Sequence, residues 1–114
     1  MNREIGRVHV YTSAAMTRLA KTFSTCLRSL KRAGEPGRMQ PAARMARRAC
    51  EKFEKSADAM RKAMAMEAGI DSQEEADQFS ALLDIAIEAQ GNGTNALEQA
   101  RLRAVQIRES LPSE

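Results

Sequence analysis

From Pro41 to Ala68 the chain contains no Gly, no further Pro and no β-branched residue, and no other stretch narrows the fold as much. Pro41 suits a first helical turn, where its missing N–H is no loss, and Gly69 stands where a helix stops. Ala46, Ala49, Cys50, Phe53, Ala57, Met60, Ala63 and Met64 recur at steps of three and four and share one face. Arg47, Arg48, Glu51, Lys52, Glu54, Lys55, Asp58, Arg61 and Lys62 fall on the other. Glu51 with Lys55 and Asp58 with Lys62 are acid-then-base pairs four apart, each adding about 0.2–0.5 kcal/mol to an isolated helix. Because the apolar stripe is mostly Ala, neighbouring helices can approach closely, and the spacing predicts one on each side.

The rest of the chain follows from this rod. Only Phe23, Phe53, Phe79 and Tyr11 are aromatic, so the core must be filled by Leu, Ile, Met and Ala, and a large sheet is excluded. Met16, Leu19, Ala20, Phe23, Cys26, Leu27 and Leu30 mark an earlier helix, with Lys31 and Arg32 complementing its C-terminal dipole. Ile5, Val8, Thr12, Ala15 and Leu19 keep a similar rhythm further upstream, which favours extending that helix over a short strand. Gly34-Glu35-Pro36-Gly37 breaks the chain, Ser72 to Glu75 forms a capping box, and Gly91-Asn92-Gly93 reads as a second break. Leu97, Ala100, Ala104, Ile107 and Leu111 then make a narrow seam, with Leu102 and Val105 off it. The expected fold is all-α, a single domain over 1–114: a four-helix up-and-down bundle of helices 13–33, 41–68, 72–90 and 95–110 behind a short extended or helical arm, 1–12.

Charge is divided along the chain. Residues 1–50 carry eleven bases and two acids, a balance of +9; residues 51–114 carry seven bases and thirteen acids, a balance of −6. Between Ala63 and Ala100 there is no Lys or Arg. A basic face of Arg18, Lys21, Arg28, Arg44, Arg47 and Arg48 could meet phosphates or an acidic protein. Acids at Glu74, Asp77, Asp84 and Glu88 could occupy a basic groove on another protein, as an inhibitor does. Glu74 also has a plain structural use in a first helical turn, where the dipole favours anions.

Catalytic chemistry finds little purchase. His9 is the only histidine and reads as a surface or turn residue. One histidine and two cysteines do not make a zinc site, no Gly-Lys-Ser/Thr phosphate loop exists, and no nucleophile has a recognisable base. No catalytic residue, metal, cofactor or small-molecule substrate is expected. Cys26 and Cys50 read as buried thiols on apolar faces. The sequence shows no secretion signal and no membrane span, and a cytoplasmic location is expected. The resulting expectation is a non-catalytic protein–protein interaction module, an adaptor, regulator or inhibitor. It would self-associate as a homodimer through Met64, Met66, Leu102 and Val105. A sequence-tolerant nucleic-acid binder using the basic face is the alternative.

Overall fold

In the computed structural model, which describes residues 3–28 and 38–110, the chain forms a rod 66 Å long and 18 Å across. Three α-helices build it: α1 (Arg3–Arg28), α2 (Gln40–Met66) and α3 (Gln73–Glu109). A 3-10 turn, Glu67–Gly69, follows α2. The described residues contain no strand.

The expected 41–68 helix forms as α2 but ends at Met66, with Pro41 in the first turn and the Ala43 N–H bonded to the Met39 carbonyl at 2.9 Å. It is also the centre of the fold, packed against α1 on one side and α3 on the other, while α1 and α3 approach each other far less closely. Small residues set this arrangement. Ala42, Ala43, Ala46 and Ala63 of α2 are wholly buried, and α1 turns Gly6, Ser13, Ala20 and Leu27, seven residues apart, into the interior. Small side chains on both helices permit the near approach.

The core lies in layers along the rod. Leu27, Met39, Ala42, Ala43 and Ile107 fill one end, with Phe23 and Ala104 against them. Ala20, Ala49, Cys50 and Phe53 fill the middle, backed by Met16, Ala96 and Leu97. Ala59, Met60 and Ala86 fill the far end, backed by Val10, Met64, Leu82 and Leu83. The order of these layers makes α1 antiparallel to α2 and parallel to α3.

The four-helix expectation is corrected. The segments 72–90 and 95–110 are one helix, α3, which passes through Gly91-Asn92-Gly93 without interruption. A helical Gly costs about 1 kcal/mol relative to Ala, less than the packing it can permit. Here a Cβ on Gly93 would lie 2.9 Å from Cε1 of Phe53, whose ring is wholly buried, so Gly93 is the gap the ring occupies. Thr94 supports the run by donating from Oγ1 to the Gln90 carbonyl at 3.0 Å.

At the other boundaries, α1 begins at Arg3, so the arm is helical and continuous with the first helix. Residues 29–33, the Gly34–Gly37 break and Leu111 lie outside the described residues. Ser72 caps α3, accepting from the Glu75 N–H at 3.1 Å while its hydroxyl donates to Oε1 of Glu75 at 3.1 Å. Asp58 pairs with Arg61 at 3.1 Å, three residues on.

Candidate functional site

His9 corrects the surface reading. It is half-buried between helices, with Nε2 2.7 Å from Oγ of Ser56. The donors in this cluster can be assigned by counting protons. Ser56 spends its one proton on the Ala86 carbonyl at 2.6 Å. It therefore accepts from the His9 Nε2–H and from the Ser13 hydroxyl, 3.3 Å away. Ser13 in turn accepts from Nε2 of Gln90 at 3.1 Å. All three helices are thus tied by one polar column between the middle and far core layers. The pair resembles a nucleophile and its base only in distance. Ser56 and Ser13 are wholly buried, and the Ser56 proton points away from the imidazole. Burial pushes the His9 pKa below its usual 6.5, partly opposed by a backbone hydrogen bond at Ala86.

The basic residues divide into separate places. Arg18, Lys21, Arg28, Arg44, Arg47 and Arg48 are all exposed. The fold joins Lys21 and Arg47 across a groove of about 220 Å³ between α1 and α2, and sets Glu51 and Glu54 in the same groove. The cation ridge is therefore interrupted by carboxylates. Cys50 opens onto this groove; burial first, and then the Glu54 carboxylate, raise its thiol pKa. Cys26, expected to be buried, is exposed.

Among the acids, Glu74, Asp77 and Asp84 are exposed on α3. Glu88, also exposed, lines a groove of about 150 Å³ with Lys52 and Lys55 of α2, so this acid has bases beside it within the fold. Glu98 is held by Arg101 through two hydrogen bonds, at 2.6 and 3.1 Å, which lower its pKa. The residues expected to self-associate are divided as well. Met64 and Met66 are half-buried at the end of α2, Val105 is half-buried, and Leu102 is partly exposed on α3.

Sequence reasoning missed a groove of about 360 Å³ between α1 and α2, beyond the polar column. Val10, Tyr11, Ala14 and Met64 give it an apolar lining, and Arg7 and Arg61 flank it. Tyr11 is 72% exposed, which is unusual for the one tyrosine of a chain with no Trp. None of the six lining residues is acidic. The signal was present as two bases and a tyrosine near the start of one helix, but only the fold brings Arg61 and Met64 to them.

It also missed an exposed apolar edge. Ile5 is 61%, Val8 60% and Leu19 53% exposed on α1, and Ile87 is 64% exposed on α3. The upstream rhythm of α1 is therefore real but faces outward.

Among the described residues, no group of three or more His, Cys, Asp or Glu could hold a metal ion, and no helix is long and apolar enough to cross a membrane. Set against known protein families, curated proteins and solved structures, the chain matches none of them.

Proposed function

We propose that the protein is a non-catalytic helical binding module, and that it takes an acidic segment with a large apolar side chain from another protein into the Arg7–Tyr11–Arg61 groove. The observation that carries this reading is the composition of that groove: an apolar floor with a half-buried Met64, a largely exposed Tyr11, and two guanidinium flanks with no acid among the lining residues. Exposed tyrosine and arginine are the residue types that most often dominate interface energetics. A flexible methionine floor adapts to differing apolar side chains. Arg7 supplies a planar donor that suits a carboxylate, and Arg61, bonded to the exposed Asp58 at 3.1 Å, supplies a second by exchanging that partner.

The test is fluorescence anisotropy with three labelled probes: a short peptide of Glu and Asp around one Leu, the same peptide with Lys replacing the acids, and a DNA oligonucleotide. The acidic peptide should bind, and Arg7→Glu with Tyr11→Ala should weaken it at least about tenfold, roughly 1.4 kcal/mol, with helicity unchanged. Binding of the oligonucleotide alone, lost on replacing Arg44, Arg47 and Arg48 with Ala, would refute this reading in favour of nucleic acid. The carboxylates Glu51 and Glu54 beside Arg47 weigh against that outcome.

A further inference from the structure

The open side of the bundle lies where α1 and α3 approach each other least. Along α1, Ile5, Val8, Thr12, Ala15, Leu19, Thr22 and Cys26 are spaced by alternating three and four residues, the repeat of a coiled-coil seam. All but Ala15 are exposed. This seam is not the core face, which is occupied by Gly6, Ser13, Ala20 and Leu27. On α3, Ile87 stands between Leu83 and Gln90 in the same row of the helix. Leu83 packs in the cluster that includes Val10, and Gln90 bonds Ser13, so this row faces α1. The exposed apolar patch therefore spans both helices.

Its two walls are of opposite charge. Outside the grooves toward α2 that hold Arg7 and Lys21, the described part of α1 carries Arg3, Arg18 and Arg28 against the single acid Glu4. From Gln73 to Ala100, α3 carries acids and no base, with Asp84 exposed and Glu98 exposed beside the Arg101 that bonds it. An acidic helix docking here would meet the acidic wall of α3, and a basic one would meet the basic wall of α1. A two-fold interface presents the same patch from both sides, so it needs self-complementarity. One basic and one acidic wall supply this if the axis runs parallel to the helices, because each α1 then lies against the other protomer's α3.

We propose that a second copy of this chain covers the patch in this way, with Val8 and Ile5 of one protomer against Ile87 of the other and Arg18 near the other's Glu98. The Arg7–Tyr11–Arg61 groove lies on another side of α1 and takes no part, so this proposal stands independently of the binding reading. The dimer would present two such grooves.

Sedimentation equilibrium up to about 100 µM, far above a micromolar Kd, should give twice the 12.6 kDa chain mass. Val8→Asp and Ile87→Asp, both at exposed positions, should each give monomer with unchanged helix content. The arrangement is read by disulfide trapping in a Cys26→Ser background. Protein with Val8→Cys should cross-link to protein with Ile87→Cys, and neither should cross-link efficiently to itself. A wild-type chain that stays monomeric at the highest concentration overturns the proposal. So does self-cross-linking of the Val8→Cys protein, which would place α1 on α1.

Discussion

Gly91 and Gly93 sit two residues apart in the same helix, yet replacing each with Ala should move stability in opposite directions. Both are helical, so each replacement gains about 0.8–1 kcal/mol of intrinsic propensity. At Gly91 nothing lies within 4 Å of the added Cβ, and the full gain should appear. At Gly93 the Cβ would meet three carbons of the Phe53 ring at 2.9–3.0 Å, nearer than real Cβ atoms come. Phe53 is wholly buried between Ala20, Ala49 and Cys50 and cannot swing aside without disturbing them. Overpacking of this kind costs about 1–3 kcal/mol, so the net effect is a loss of about 1 kcal/mol. For a domain of this size that corresponds to Tm rising by about 4–6 °C in Gly91→Ala and falling by a similar amount in Gly93→Ala. Thermal and chemical denaturation followed by circular dichroism measure both. A double-mutant cycle sharpens the test: in a Phe53→Leu background, Gly93→Ala should cease to destabilise, a coupling of about 1 kcal/mol or more. If Gly93→Ala stabilises the wild-type chain as Gly91→Ala does, the ring does not press on Gly93. If Gly91→Ala destabilises, the helix does not run through this segment, and the argument for a continuous α3 fails.

Three further outcomes follow from the interior and the caps. His9 is the chain's one histidine and its folded pKa lies below the unfolded 6.5, so the unfolded chain binds the proton first. Its contribution is then intact above pH 6.5 and is lost as pH falls from there through the folded value; urea midpoints between about pH 7.5 and 5.5 should decline, and His9→Gln should remove most of that decline. Ser56→Ala deprives His9 and Ser13 of their shared acceptor and should cost about 1–3 kcal/mol by urea denaturation, whereas Ser72→Ala at the α3 cap should cost about 1 kcal/mol. Cys26 should react with a thiol reagent in the native state at least about tenfold faster than Cys50, which is buried and has a raised pKa; equal rates would contradict the packing of Cys50.

What the sequence made legible was local. The Pro41–Gly69 rod, the Ser72–Glu75 cap and the all-helical class rest on propensity, capping and periodicity within one segment, and the structure keeps all three. What it hid was relational. Gly93 looks like punctuation until Phe53, forty residues earlier, is seen to need the space. On α1 two apolar-compatible faces compete, and hydrophobicity alone favours Ile5, Val8 and Leu19 over Gly6, Ser13 and Ser24. The fold buries the small set because an Ala-lined α2 rewards near approach over bulk. His9 could be placed inside only by knowing that Ser56 of α2 meets it, in a column that Ser13 and Gln90 complete. The candidate groove was the least legible feature, since Arg7 and Arg61 stand more than fifty residues apart.

That choice of small core residues has an energetic consequence. Among the described residues, Phe53 is the one large side chain buried to completion, and Ser13 and Ser56 are the next by volume. A core of this kind removes little apolar surface per residue, while Ile5, Val8, Leu19 and Ile87 stay in water in the single chain. Covering them in a dimer would supply burial that the protomer lacks, and unfolding would then be linked to dissociation. For a native dimer that unfolds to monomers, each tenfold rise in protein concentration adds about 1.4 kcal/mol per mole of dimer. Wild-type Tm should therefore climb with concentration from the micromolar range upward, and Val8→Asp, held as a monomer, should show no such climb. A Tm independent of concentration in both proteins would mean that the Ala-rich interior suffices alone, and that the exposed seam of α1 contributes nothing to holding the fold together.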